Sequence, residues 1–297
     1  MMKLNYLLLD VFTTQRLQGN PLAVVLKADG LLDNQMQAIA REFNLSETVF
    51  LTKPKSERHT SGVRIFTPEL ELPFAGHPTV GAAVVLGLQQ RVSAVRIEEP
   101  IGLITCVIDR VDKRSAEARF ALPLLPQEVG TPPSKADIAM ALGIDLGDIG
   151  CGPYQPAVYS AGVLFYLVPV RNALVLKKLK LERRGWNDIF SLGQNSVYVF
   201  TETPDEPDYD FAARMFSPGM GLGEDPGTGA AAAALIGLLG KHTSFADGQE
   251  EFILRQGMEM NRLCRISVQV RKSAGVLTHG GIGGHAVILG EGELDLA

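Results

Sequence analysis

The sequence matches itself once, and that self-match constrains the fold more than any single motif. The first stretch reads Arg64-Ile-Phe-Thr-Pro68, then Leu72, then Phe74-Ala-Gly-His77-Pro78-Thr-Val-Gly81-Ala-Ala-Val-Val-Leu-Gly-Leu88. The second, about 150 residues later, reads Arg214-Met-Phe-Ser-Pro218, then Leu222, then Glu224-Asp225-Pro226-Gly-Thr-Gly229-Ala-Ala-Ala-Ala-Ala-Leu-Ile-Gly-Leu-Leu239. Each runs Arg, apolar, Phe, hydroxyl, Pro, and after a short link reaches a polar residue with Pro and a Gly-Ala-Ala that opens an apolar run. The register drifts by two residues across the link, as a single loop deletion would produce. Upstream, Glu47-Thr-Val-Phe50 falls opposite Val197-Tyr-Val-Phe200. The period is far too long for a solenoid, so the chain is read as two copies of one unit.

In each copy an extended segment ends near one Pro and a helix begins at a second, where the missing N–H costs nothing. The helices expected at 78–90 and 227–240 are apolar almost all the way round, which requires burial on every side. They are too short to span a bilayer, which takes about 20 residues. Short β-like runs fill the rest of each half, so the pattern predicts a sheet curled around a central helix, once per half. A helix N-terminus carries partial positive charge and unpaired N–H groups. Two such ends, led by His77-Pro78 and Asp225-Pro226, would grip a small acid from two sides if the halves face each other. The plainer reading has His77 and Asp225 only capping their helices.

A length of 297 residues fits two domains, and 46% hydrophobic with 21% charged residues is normal for a globular chain with a full core. The net charge of −5 and the absence of basic clusters argue against nucleic-acid binding. Lys177-Lys-Leu-Lys-Leu-Glu-Arg-Arg184 mixes signs and reads as a solvated helix face. Cys106, Cys151 and Cys264 form no Cys-x-x-Cys and no zinc pattern, so a reducing, cytoplasmic setting is expected. The opening Met1-Met-Lys-Leu-Asn-Tyr-Leu-Leu-Leu-Asp10 has too short an apolar run for a signal peptide, and no membrane association is expected.

Along the chain, 4–12 and 22–26 read as strands separated by a Gly19-Asn20-Pro21 turn. Asp33-Asn34 is placed to cap a helix over 34–43, with strands expected at 47–51 and 63–66 about a polar turn at 53–61. Residues 95–120 alternate as antiparallel strands do. Pro123, Pro126, Pro132 and Pro133 mark the linker, giving a first domain over 1–123, completed by about 279–297, and a second over 124–278, with a cleft between them. The second half should hold helices at 134–142 and near 209–213. Its strands are expected within 157–170 and at 196–201, 251–256 and 263–272, followed by a glycine-rich turn at 280–290 into one last strand.

Glu47 stands at the mouth of a predicted strand, beside Thr48, Val49 and Phe50. Against apolar walls its charged form is disfavoured, which makes it a stronger base toward a proton on carbon. The alternative is a surface carboxylate or one paired at a helix end. Other motifs fail. Gly219-Met-Gly221-Leu-Gly223 lacks the third glycine and the strand-turn-helix setting of a dinucleotide fingerprint. His279-Gly-Gly has no Gly-x-Ser-x-Gly elbow to serve, and His279 with His285 has no carboxylate at ligand spacing.

Taken in order, Asp10-Val-Phe-Thr13, Gly19-Asn-Pro21, Ser46-Glu47-Thr-Val-Phe50, Phe66-Thr-Pro68, Gly76-His77-Pro-Thr79, Arg214-x-Phe-Ser-Pro218, Gly223-Glu-Asp225-Pro-Gly-Thr-Gly229 and Gly284-x-Ala-Val-Ile-Leu-Gly-Glu291 span the chain. With them the sequence resembles the phenazine-biosynthesis PhzF-like isomerases. The resemblance implies an α+β, diaminopimelate epimerase-like fold of two pseudo-symmetric domains, each a β-barrel around a central helix, with the last strand completing the first. It also implies a homodimer that needs no cofactor and no metal. Glu47 would be the general acid/base on a small carboxylate-bearing substrate, assisted by His77 and Asp225. Gly76, Pro78, Thr228, Gly229 and Ala230 would line the substrate position. Ala230 stands where the phenazine branch has a Ser, which puts that branch's own substrate in doubt. The fold also hosts two-thiol racemases, but here His77 and Asp225 occupy the thiol positions, and none of the three cysteines lies nearby in sequence. Two further readings stay open: an epimerase using Glu47 and Asp225 as opposed bases, and a homologue that binds a small molecule without turning it over.

Overall fold

The computed structural model describes residues 2–182, 184–218 and 222–296. The first half comprises β1 (Met2–Val11), β2 (Asn20–Val25), α1 (Asp33–Phe43), β3 (Glu47–Thr52), β4 (Ser61–Phe66), β5 (Glu71–Leu72), α2 (Gly76–Gln90), β6 (Ala94–Glu99), β7 (Gly102–Arg110) and β8 (Ser115–Ala121). The second comprises β9 (Gln127–Glu128), α3 (Lys135–Leu142), β10 (Ala157–Ser160), β11 (Leu164–Pro169), α4 (Ala173–Lys178), α5 (Trp186–Ile189), β12 (Val197–Glu202), β13 (Phe211–Ser217), β14 (Leu222–Asp225), α6 (Gly229–His242), β15 (Gly248–Gln256) and β16 (Cys264–Ser273). One long strand, β17 (Val276–Leu296), ends the chain.

Strand pairing makes the duplication explicit. In the first half β1, β2, β3, β4, β6, β7, β8 and β17 close a barrel, antiparallel except at β2–β3 and β4–β6. In the second half β10 to β13, β15, β16 and β17 follow one another with parallel steps at the corresponding places, β11–β12 and β13–β15. β17 belongs to both. It pairs with β16 up to Gly283, with β8 from Gly281 to Val287, and with β1 from Ala286 onward. Inside the barrels, α2 and α6 are buried along nearly their whole length, and one apolar cluster runs through both. Small residues keep these helices thin enough to be enclosed. A Cβ at Gly237 of α6, for example, would lie 2.5 Å from the Tyr159 ring.

Two smaller clusters lie outside the barrels. Met36, Ile39 and Ala40 of α1 pack on Phe50 and Phe66, and α3, α4 and α5 cover the second barrel through Ile138, Leu176, Trp186 and Phe190. A paired device recurs in each half. Arg64 donates twice to Glu71 (2.7 and 2.6 Å) and lies over Phe66, while Arg214 donates twice to Glu224 (2.8 and 2.8 Å) and lies over Phe216.

The register corrects how the repeats align. Arg64 lies opposite Phe50, but Arg214 lies opposite Val199, so the counterpart of Glu47 is Ser196 rather than Val197. A one-residue slip of this kind changes which face every side chain occupies. Ile65 faces Leu72 where Met215 faces Asp225, so the counterpart of Asp225 is Leu72. The helices begin at Gly76 and Gly229, not at a Pro. Pro78 is the third helical residue, and Pro226 precedes α6 altogether.

Other expectations also change. The segment expected as a helix near 209–213 lies in β13. Its alternation is hidden because both faces are buried, Phe211, Ala213 and Met215 inside the barrel and Ala212 and Phe216 under the outer helices. The glycines of 280–290 do not turn. They lie within β17, where at Gly283 and Gly284 neighbouring groups come too close for side chains, a Cβ at Gly284 meeting the Phe12 ring at 2.4 Å. Asn20 and Pro21 open β2 rather than forming a turn before it. Asp33 does not cap α1 but pairs with Arg64, and Gln35 Oε1 accepts from the Leu32 N–H instead. The mixed-charge run has only its first two lysines in a helix, at the end of α4.

The helix starts meet head to head. A Cβ at Gly76 would stand 2.5 Å from Gly229 Cα, and one at Gly229 would stand 2.8 Å from Gly76 Cα. Backbone meets backbone here, and no side chain can rotate away. Gly76→Ala or Gly229→Ala should therefore cost about 1–3 kcal/mol in urea unfolding, whereas Gly290→Ala, with nothing within 4 Å of its Cβ position, should leave the midpoint unchanged.

Candidate active site

No side chain caps either central helix. The N-cap positions fall at Ala75 and Thr228, neither of which accepts a side-chain capping bond, and neither His77 nor Asp225 takes that role. The N–H groups of the first turns, at Gly76 and His77 in α2 and at Gly229, Ala230 and Ala231 in α6, lie beyond the reach of their own helix carbonyls. The two macrodipoles therefore point their positive ends at one place.

Glu47, His77 and Asp225 converge at that place, 6%, 2% and 2% exposed. Glu47 opens β3 beside Leu22 of β2. His77 is the second residue of α2, and its Nδ1 lies 3.4 Å from Glu47 Oε2. Asp225 ends β14 in the other half. The three come from positions that are not counterparts in the duplication. His77 corresponds in helix position to Ala230, which is buried and offers only its backbone.

Two residues not singled out as site residues from sequence hold the arrangement together. Asn20, fully buried at the start of β2, places its amide nitrogen 2.9 Å from Asp225 Oδ1, 2.9 Å from Gly227 O and 3.2 Å from His77 Nδ1. Gln256, at the end of β15, donates to Asp225 O (2.8 Å) and Thr228 Oγ1 (3.0 Å) and accepts from Thr228 N (3.1 Å). The Thr228 hydroxyl in turn donates to Asp225 Oδ2. Both oxygens of Asp225 are thus occupied. The signal in sequence was the polar amide itself, Asn20 between Gly19 and Pro21, but its partners lie 57 and 205 residues away.

Other buried polar atoms here lack protein partners: Glu47 Oε2, His77 Nε2 and Asn20 Oδ1. Buried polar atoms are nearly always satisfied, so a group of orphans in one spot marks where a ligand or water belongs. Burial, followed by the neighbouring Asp225 charge, raises the Glu47 carboxyl well above the usual carboxylate range. Burial pulls the His77 imidazole down to about 4, against the opposing effect of Asp225.

A clasp beside the site joins the halves. Arg262 donates to Asp10 Oδ1 (2.6 Å) and Gly19 O (2.9 Å), and Arg265 N donates to Phe12 O (2.7 Å). Phe12, held at φ +64°, packs its ring against the Cβ positions of Gly227, Gly229 and Gly284. Cys264 is closer to the site than its place in the sequence implied, with its sulfur against Gly227. Burial and Asp225 push that thiol up, and it donates to Arg262 O at 3.5 Å, so it stays protonated. His279 and His285 lie on β17, with His285 Nε2 3.4 Å from Glu117, away from the helix starts. Of the glycine-rich run rejected as a dinucleotide fingerprint, 219–221 fall outside the described residues.

The two pseudo-symmetric barrels, each around one buried helix, define an α+β diaminopimelate epimerase-like fold. Comparison with known proteins agrees. A crystallised PhzF-family phenazine biosynthesis protein of Bacillus anthracis superposes with a TM-score of 0.88 at 26% identity, covering 100% of both chains. An uncharacterized isomerase of Mesorhizobium japonicum is 41% identical over 98% of each chain. The trans-2,3-dihydro-3-hydroxyanthranilate isomerase of Pseudomonas aeruginosa is 31% identical over 97% of this chain and 98% of its own. Residues 9–292 match the family of phenazine biosynthesis-like proteins. The chain belongs to that family, the PhzF-like isomerases. No helix among the described residues is long and apolar enough to cross a membrane.

The depressed His77 value fixes a sign. The folded state excludes the proton that an unfolded His binds near pH 6.5, so this group's contribution to stability is present above that pH and is lost on acidification toward about 4. In an NMR titration His77 should show no protonation between about pH 8 and pH 5. Protonation within that window would contradict the buried geometry.

Proposed function

We propose that the chain moves a proton between carbons of a small carboxylate-bearing metabolite, with Glu47 as the single general acid/base. The observation that carries this reading is Glu47 itself, a buried carboxyl with one oxygen unpartnered, set where two helix N-termini converge. A carboxyl raised by burial is a stronger base once ionised, and a stronger base is what a carbon-bound proton needs. The N–H groups at the starts of α2 and α6 would hold the substrate carboxylate, with Gly76 and Gly229 allowing close approach. Pro78, without an N–H of its own, adds no donor there, and Thr228 serves by fixing Asp225. One carboxyl can take the proton from one carbon and return it to another on the same face without a cofactor. Because the site is shut from solvent, substrate entry requires the halves or their loops to move.

The Pseudomonas relative's name points to a cyclic, unsaturated amino acid as one candidate substrate. Ala230 offers no hydroxyl to its carboxylate, which favours a different acid held by backbone N–H groups alone. Asp225 is a poor second base because Asn20 and Thr228 occupy both its oxygens, and that tells against the epimerase alternative.

In heavy water with a panel of small unsaturated, amino and hydroxy acids, the wild type should incorporate deuterium and Glu47→Gln should lose all but background. Uptake should rise with pH through the raised Glu47 value, because only the ionised carboxyl is a base. Equal uptake by both proteins would remove Glu47 from the chemistry. No uptake by either would favour a binding protein.

A further inference from the structure

We infer that Asn20 is a positioning residue that holds the His77 imidazole with its proton on Nε2, making His77 a neutral hydrogen-bond donor to a substrate oxygen. This rests on the site proposed above and extends it to a role for His77 and a requirement on the substrate.

Oxygen and nitrogen of the Asn20 amide are told apart by their partners. The atom facing Asp225 Oδ1 and Gly227 O, each at 2.9 Å, must be the NH2 group, because two oxygens that only accept cannot share a third acceptor. The same nitrogen lies 3.2 Å from His77 Nδ1. The NH2 group has two hydrogens for three neighbours, so one hydrogen is shared between an oxygen and Nδ1, and with no lone pair on the amide nitrogen to receive an Nδ1–H, Nδ1 presents its own lone pair. The competing arrangement, with Nδ1–H donated to Glu47 Oε2 at the longer distance of 3.4 Å, would set that hydrogen against the Asn20 hydrogens. In the neutral ring the proton therefore sits on Nε2, and the depressed His77 value keeps the ring neutral. Nε2 is buried and has no protein partner. It is an N–H aimed at nothing the protein supplies.

A buried, preorganised N–H of this kind stabilises negative charge that develops on an oxygen. The implied step balances simply. Glu47 takes the proton from carbon as the C–H bond breaks. The electron pair delocalises onto a carbonyl or carboxylate oxygen facing Nε2–H. The pair then returns to bond a proton that the Glu47 carboxyl delivers at the second carbon, after that carboxyl has exchanged with solvent in a fraction of turnovers. His77 gives up no proton. The substrate must accordingly carry an acceptor oxygen conjugated to the carbon that loses its proton. Asn20 acts on this only through His77 and Asp225, which belong to different halves.

The test is the tautomer of His77 in whole protein labelled with 15N-histidine, read by long-range 1H–15N correlation and assigned by the signal lost in His77→Gln. The wild type should show a protonated Nε2 and a bare Nδ1. Asn20→Asp keeps the shape but turns an acceptor toward Nδ1, so the proton should move to Nδ1 or occupy both nitrogens. If that variant does not fold, Asn20→Ala, which removes the donor without adding a charge, should give averaged nitrogen shifts in place of the fixed pattern. A wild-type proton on Nδ1 would overturn the inference, as would an unchanged Nε2–H pattern in a folded Asn20 variant. Deuterium uptake by Glu47→Gln is read separately, so loss of the catalytic reading and loss of the tautomer assignment are distinguishable.

Discussion

The contact between Gly76 and Gly229 governs the rest of the molecule. Two helices buried inside separate barrels can meet end to end only if both first residues lack a Cβ, and the interatomic distances leave room for nothing larger. The contact fixes where both positive helix ends point. Both ends are also uncapped by side chains, since Ala75 has no capping group and the Thr228 hydroxyl donates to Asp225 instead. A single packing constraint thereby produces an electropositive, dry centre without using a lysine or arginine. In that centre burial, followed by the neighbouring Asp225 charge, favours the neutral form of the Glu47 carboxyl against the pull of the helix ends, and burial lowers the affinity of the His77 imidazole for a second proton.

Duplication built the frame, but divergence built the site. The Arg64–Glu71 and Arg214–Glu224 pairs, with Phe66 and Phe216 beneath them, preserve the ancestral pattern on both sides. The groups of the site do not. Glu47 has Ser196 as its counterpart, bonded at 2.7 Å to Ser217, and Asp225 has the apolar Leu72. His77 has Ala230. Each polar group comes from one half only, so the centre is asymmetric although the scaffold is nearly symmetric. An asymmetric centre suits one carboxyl handling both proton steps, whereas opposed bases would need matched groups on the two sides.

Much of this was legible in the chain. The two all-apolar helices, the ordered motifs and the strand segments around them identified the barrels and brought Glu47, His77 and Asp225 to one site. What was not legible depended on contacts between distant segments. Gly76 and Gly229 were expected to line the substrate position, but their contact with each other exists only across the interface. Pro78 and Pro226 looked like helix starts because local rules place proline there, yet the packing of the halves sets the first residue. The strand holding Phe211 to Ser217 hid its alternation because a second apolar layer covers its outer face. Asn20 stood in the Gly19-Asn-Pro21 motif and Gln256 in none, but neither revealed its role, since an amide declares its partners only once the fold has assembled them.

The central claim is that the converging helix ends enclose Glu47 as a neutral acid at rest, ready to ionise as pH rises. Infrared difference spectroscopy of wild type against Glu47→Gln tests it most directly. At neutral pH the wild type should show a carboxylic-acid C=O stretch that the variant lacks, and this band should give way to carboxylate stretches only on moving to alkaline pH. A difference spectrum at neutral pH containing carboxylate bands alone would show Glu47 already ionised, and would contradict the view that burial between the two halves sets its chemistry.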